Sequence, residues 1–162
     1  MSGAEALEHY VNEHLAGAAS ALRLVERCRA DNEDTPLASY LLALGPQIEA
    51  DKQTLEDMLS RVGRKHRIKE MAGQVAERVS RSRLAEAVTS DEHLTRLLEL
   101  ETLVLGVSGK LALWRSIAQV AEQYPELADF DLAALAARAD EQLRGLEGHR
   151  REAAAAAFSR SG

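Results

Sequence analysis

Residues 3–31 of the chain read GAEALEHYVNEHLAGAASALRLVERCRAD, and this stretch decides the fold class. Its apolar residues recur every three or four positions, which is the spacing of one face of an α-helix. No run of alternating Val, Ile and Thr, the pattern typical of strands, accompanies it. The stretch predicts a long helix with an apolar stripe that faces a core. The stripe consists of Leu7, Val11, His14, Ala18, Ala21, Leu22, Val25 and Cys28.

Three further stretches repeat this pattern, each with recognisable ends. Thr35 is a good N-cap residue, and Pro36 suits the first helical position because its missing N–H needs no partner there. Thr89 and Glu92 form a capping-box sequence. We therefore expect helix two over about 36–62 with a kink at Gly45-Pro46, a short connecting helix over about 65–82, helix three from Thr89 to about Gln123, and helix four from Asp131 to about Phe158.

Composition agrees with a single all-α domain over residues 1–162, a four-helix bundle with a short extra helix between helices two and three. Apolar residues make up 46% of the chain and aromatic residues only 4%. No apolar run approaches the roughly 20 residues that a membrane span needs, and the start lacks the pattern of a signal peptide. The lone Cys28 is predicted to be a small core residue. A cytoplasmic location follows as the default expectation.

Each of the four apolar stripes is interrupted near its middle by ionisable residues. Charged groups that face a helical core are costly unless they pair or bind a metal, so these interruptions are the best clue to activity. Distances from the helix ends place them in one layer if the bundle runs up-down-up-down. A connector that crosses the bundle lengthwise would shift helix three by one to two turns. The predicted buried polar layer comprises His14, Glu49, Asp51, Lys52, Glu101, Glu147, His149 and Arg150.

The pattern Glu13-His14, Glu49-x-x-Lys52, Glu101 and Glu147-x-x-Arg150 resembles the di-metal motif of the ferritin-like superfamily. The segments 12–18 and 106–115 are also similar to those of a small bacterial family of such bundles. The resemblance implies a four-helix bundle with a Glu on helices one and three and Glu-x-x-His on helices two and four. Here Lys52 and Arg150 replace both histidines of the motif.

Lysine and arginine side chains are hydrogen-bond donors that do not normally ligate metals at neutral pH. We therefore expect Lys52 or Arg150 to pair with Glu49, Glu101 or Glu147 inside the bundle, in place of a di-metal site. This favours a non-catalytic protein without a cofactor that acts by association with itself or with another protein. The alternative is a metal-binding or oxidative-stress protein that holds iron, manganese or zinc through His14, Glu49, Glu101 and His149.

Residues 61–83 carry a net charge of +6, while the whole chain carries −6. This basic segment either docks onto the acidic remainder of the chain or binds an anionic partner such as lipid or nucleic acid. No aromatic residue is interleaved with its cations, so we favour docking onto the bundle or a solvated face. The sequence Gly106-x-x-Gly109-Lys110 is not a phosphate-binding loop, because it lies within a predicted helix. We expect Gly106 and Gly109 to allow close helix approach.

Overall fold

A computed structural model describes residues 1–63 and 90–159. They form four long helices, α1 (Gly3–Ala30), α2 (Pro36–Val62), α3 (Glu92–Ala118) and α4 (Leu132–Ala157). Two short 3₁₀ turns, Ala121–Gln123 and Pro125–Leu127, join α3 to α4. No strand occurs in the described ranges, so the all-α prediction is confirmed. None of the described helices is long and apolar enough to cross a membrane.

The helix ends follow local hydrogen bonding. The Thr35 hydroxyl accepts a hydrogen bond from the Ala38 N–H, and the Asp131 carboxylate accepts one from the Ala134 N–H. Helix α3 begins after Asp91, whose carboxylate accepts two backbone N–H bonds, rather than at the predicted Thr89–Glu92 capping box. Thr89 and the predicted helix over 65–82 lie outside the described residues. Helix α3 also ends at Ala118, earlier than predicted, because the chain tightens into 3₁₀ turns.

The helices pack as two antiparallel hairpins, α1 with α2 and α3 with α4. Arg27 near the end of α1 bonds to Glu99 near the start of α3, while His14 lies beside Gly109 further along α3. Helices α1 and α3 are therefore antiparallel, and α2 runs in the same direction as α3. Val62 and Glu92 consequently lie at opposite ends of the bundle. Of the two arrangements that the sequence left open, these helix directions agree with the one in which the connector crosses the bundle lengthwise.

The apolar stripes meet in one core. Its largest fully buried side chain is Trp114, and Cys28 is likewise fully buried, as the sequence predicts. Of the two glycines expected to allow close helix approach, Gly109 lies against His14. Gly106 is exposed, and a Cβ atom placed there would meet no described atom within 4 Å. The expectation for Gly106 is therefore wrong, because that position faces an open groove.

Gly145 on α4 lies against the ring of Tyr40 on α2, so an added side chain there would collide with the ring. A Cβ atom there would lie 2.5 Å from the Tyr40 hydroxyl and 2.8 Å from the Tyr40 Cζ. We expect Gly145→Ala to lower the free energy of unfolding by about 1–3 kcal/mol, since overpacking displaces the ring. Gly148→Ala on the same helix, where a Cβ meets nothing, should raise it by about 0.5–1 kcal/mol. Urea titrations measure both, and a gain in both variants would contradict the predicted contact.

Candidate functional site

The centre of the bundle holds a buried ion network around Asp51 on α2. The Asp51 side chain is 1% exposed. Lys110 on α3 donates from Nζ to Asp51 Oδ2 at 2.5 Å, and Arg138 on α4 donates to Oδ1 from both Nε, at 3.1 Å, and Nη2. One carboxylate thus joins three helices and faces two cations. The network leaves one positive charge that Asp51 does not neutralise.

Gln142 extends the network along α4. Its Oε1 accepts the second hydrogen bond of Lys110 Nζ, at 2.5 Å, and its Nε2 donates to Gln47 Oε1 at 3.0 Å. The Tyr40 hydroxyl donates to the Gln142 carbonyl at 2.9 Å. Buried polar groups are stable where such partners satisfy them. The network is therefore a fixed cross-link between α2, α3 and α4.

Burial sets the proton affinities near the network. It lowers the pKa of Lys110, although the adjacent Asp51 carboxylate acts in the opposite direction. It also lowers the pKa of His14, against a smaller opposing effect of Glu13. Both shifts follow because removal from water disfavours a charged group. Burial therefore favours the neutral form of the His14 imidazole.

A cavity of about 320 Å³ adjoins the network between α1 and α3, with α2 at its base. Asp51 and Lys110 form part of its wall, and His14 lies on the α1 side. Gly17 and Gly106 line it at positions where a Cβ atom would meet no described atom within 4 Å. The described helices thus place a small opening beside a desolvated ion pair.

The eight residues of the predicted polar layer do not meet in one place. Of these, Asp51 alone is buried, Glu49 is exposed, and the others are half-buried. His14 contacts Tyr10 edge to face, with ring centroids 4.8 Å apart. His149 packs on Tyr40 at 4.9 Å, and its Nδ1 lies 3.6 Å from Glu152. The two histidines therefore have separate surroundings.

The expected ion pairs of Lys52 and Arg150 form at the bundle surface rather than inside it. Lys52 Nζ lies 3.3 Å from Glu49 and 3.2 Å from Glu56, its neighbours on the same helix. Arg150 donates to Glu147 at 2.7 Å and lies 3.8 Å from Glu101. Hydrogen bonds from Arg150 and then Arg151 lower the pKa of Glu147 to about 2. Lys52 thus pairs along its own helix, whereas Arg150 also reaches Glu101 on α3.

Sequence reasoning missed Lys110, Arg138 and Gln142, although two of them carried a signal. Lys110 follows Val107 by three residues and precedes Trp114 by four, which places it on the buried face of α3. Gln142 lies between Ala139 and Leu146 on the buried face of α4. Arg138 carried no comparable signal, since it reaches Asp51 from a half-buried position.

Another buried carboxylate, Glu99, lies near the start of α3. Its Oε1 accepts a hydrogen bond from Arg27 Nε at 2.9 Å. Burial, and next the negative charge of Glu99, raise the pKa of the Cys28 thiol to about 12. The thiolate is the reactive form of cysteine, so folded Cys28 is held in its unreactive form.

We expect a thiol reagent such as 5,5′-dithiobis-(2-nitrobenzoic acid) to leave Cys28 unmodified at pH 8 while the protein is folded. The same protein unfolded in guanidinium chloride should react fully, which provides the control. The folded pKa of Cys28 is about 12, above the ordinary value of 9.0. The contribution of the protonated thiol to the free energy of unfolding is therefore complete below about pH 9 and is lost as the pH rises toward about 12. Rapid labelling of the folded protein at pH 8 would contradict this assignment.

The described residues contain no group of three or more His, Cys, Asp or Glu side chains that could hold a metal ion. His14, Glu49, Glu101 and His149, the ligands of the metal-binding alternative, are not gathered. Lys110 and Arg138 instead direct donor groups at the buried carboxylate.

Arg61 is the cation of the basic segment 61–83 that lies among the described residues. Its Nη1 lies 2.8 Å from Asp129, and its guanidinium lies 4.7 Å from the centre of the Phe130 ring. Arg61 thus docks onto its own bundle. The rest of the basic segment, 64–83, lies outside the described residues, so its pairing or binding of an anionic partner stays a prediction.

Comparison of the chain with protein-family models, with curated proteins and with solved structures found no match.

Proposed function

We propose that the chain is a non-catalytic bundle of the ferritin-like kind that acts by association with a second copy of itself or with another protein. In this proposal the Asp51 network occupies the place of a di-metal site. The residues differ from those that the motif resemblance implied, and only Asp51 belongs to the polar layer that the sequence predicts. The proposed chemistry is the same, since cations neutralise a carboxylate that a metal would otherwise neutralise.

The observation that carries the proposal is that cations engage the acceptor oxygens of the buried centre. Both Asp51 oxygens accept hydrogen bonds from cations, and the Gln142 oxygen accepts a bond from Lys110. Ammonium and guanidinium groups are donors only and offer no lone pair to a metal. The helix directions also support the ferritin-like assignment, because such folds join helices two and three by one long crossover.

Among the described residues, the exposed large apolar side chains are Met1, Leu42, Leu105 and Phe158, of which Leu42 and Leu105 lie within long helices. Leu42 on α2 is 64% exposed and Leu105 on α3 is 70% exposed. Such residues contribute to interfaces when they form part of a larger apolar patch. Sedimentation velocity over a wide concentration range should detect self-association that weakens in Leu42→Gln or Leu105→Gln. A monomer at every concentration would contradict self-association and leave a different protein as the partner.

Metal analysis separates the proposal from the metal-binding alternative. Protein purified without chelator and then incubated with iron, manganese or zinc should retain far less than one equivalent after desalting. The residues of the alternative provide the control, since His14→Ala should then leave the metal content unchanged. One equivalent of bound metal that is lost in His14→Ala would overturn the non-catalytic proposal.

A further inference from the structure

We infer that the cavity between α1 and α3 binds a small apolar molecule that carries one carboxylate, such as a medium-chain fatty acid. The inference goes beyond the proposed function, because it assigns a ligand class to the cavity, and of the two association positions only Leu105 borders it. It rests on three features of the described residues: the form of the cavity, the spare hydrogen bond of Lys110 and the charge of the network.

The cavity has the size and wall of a small-molecule site. Its volume of about 320 Å³ lies at the lower end of the usual range for such sites, about 300–1,000 Å³. Most of its wall is apolar, with Ile48, Leu55 and Leu113 among the lining residues. Gly17 and Gly106 keep the opening wide, because neither has a side chain to close it. An alkyl chain fits such a wall better than a polar ligand.

Lys110 supplies the recognition of a carboxylate. An ammonium group has three N–H donors, and Lys110 directs two of them at Asp51 and Gln142. Its side chain is only 11% exposed and forms part of the cavity wall. The cavity is therefore the side from which a ligand can reach the third N–H donor of Lys110. A carboxylate oxygen there would complete the hydrogen bonding of the group.

The charge of the network favours an anion over a neutral head group. Lys110 and Arg138 are two cations that share the single carboxylate of Asp51. Of the other polar groups at the cavity, Glu13 is 45% exposed and therefore well solvated, and the pKa of His14 is lowered by burial. Asp51 also lines the cavity and is 1% exposed, but both its oxygens already accept hydrogen bonds from Lys110 and Arg138. The desolvated charged group with a donor left for a ligand is consequently the ammonium of Lys110. Charge-assisted hydrogen bonds are stronger than neutral ones, so a carboxylate should bind better than an alcohol.

Isothermal titration calorimetry with decanoate below its micelle concentration tests the inference, with decanol as the uncharged ligand. We expect saturable binding of decanoate at one site, and affinity for decanol weaker by about tenfold or more, which corresponds to 1.4 kcal/mol. Gly106→Leu should weaken decanoate binding by a similar factor, because the new side chain fills the opening. Gly148→Leu on α4 is the matched control and should bind like the natural protein.

Lys110→Met tests the head-group contact, and Gly17→Leu fills the cavity from the other wall should Lys110→Met fail to fold. Either variant should lose decanoate binding. Equal affinity for decanol and decanoate would overturn the assignment of a carboxylate. Absence of saturable binding, or binding that Gly106→Leu and Gly17→Leu leave unchanged, would overturn the site itself. Self-association is tested separately at Leu42, which does not line the cavity, whereas Leu105 does.

Discussion

Asp51→Ala is expected to lower the free energy of unfolding by about 3–5 kcal/mol. The substitution removes the one carboxylate that pairs with Lys110 and Arg138 in the described network. Lys110 would remain largely buried, with Gln142 as its acceptor and another cation nearby. Because a typical domain is stable by only about 5–15 kcal/mol, this loss should be evident in urea or thermal unfolding.

Lys52→Ala is the matched control for Asp51→Ala, one position further along α2. Lys52 pairs with Glu49 and Glu56 at the surface, and exposed pairs of this kind contribute about 0–1 kcal/mol. The two variants should therefore differ several-fold in their effect. Equal, small losses in both would show that water reaches Asp51 and that the network is not buried.

Trp114→Ala is the second substitution with a large expected effect, about 3–5 kcal/mol. Trp114 is fully buried and is the largest side chain in the core. Its removal leaves a cavity that the surrounding leucines cannot fill without moving the helices. Leu42→Ala, at a side chain that is 64% exposed, should change the free energy of unfolding little.

Trp114→Phe distinguishes lost packing from lost hydrogen bonding. Within the described residues, the Trp114 Nε1 is buried and has no acceptor. Phenylalanine keeps most of the buried ring and removes the N–H that has no partner, so Trp114→Phe should destabilise far less than Trp114→Ala. Calorimetric unfolding of the two variants measures the difference. Equal losses would contradict the view that packing dominates at this position.

The fold was predictable because its determinants are local. An apolar residue every three or four positions defines each stripe, and Thr35 and Asp131 mark helix starts that the structure confirms. The direction of α3 was not predictable in the same way. It depends on which helices pack together, and the contact between Arg27 and Glu99 spans 72 residues.

The site was harder to predict because successive helical residues point about 100° apart. Asp51 and Lys52 are adjacent in sequence, yet Asp51 is buried and Lys52 pairs at the surface. Glu99 and Glu101 differ in the same way, since Glu99 is buried and Glu101 is half-buried. A cluster of charged residues in a sequence therefore indicates how far along a helix a polar site lies, but not which side chains form it. A polar residue in register with the apolar stripe, such as Lys110, is the better guide.

The coupling free energy between Asp51 and Lys110 measures how strongly the buried ion network holds the bundle together. It is obtained from the free energies of unfolding of the natural protein, Asp51→Asn, Lys110→Met and the double variant. Each single substitution leaves the remaining charged partner buried without its counter-charge. We therefore expect the double variant's loss of unfolding free energy to be at least about 1 kcal/mol smaller than the sum of the two single losses. Additivity within about 0.3–0.5 kcal/mol would contradict the buried ion network at the centre of this bundle.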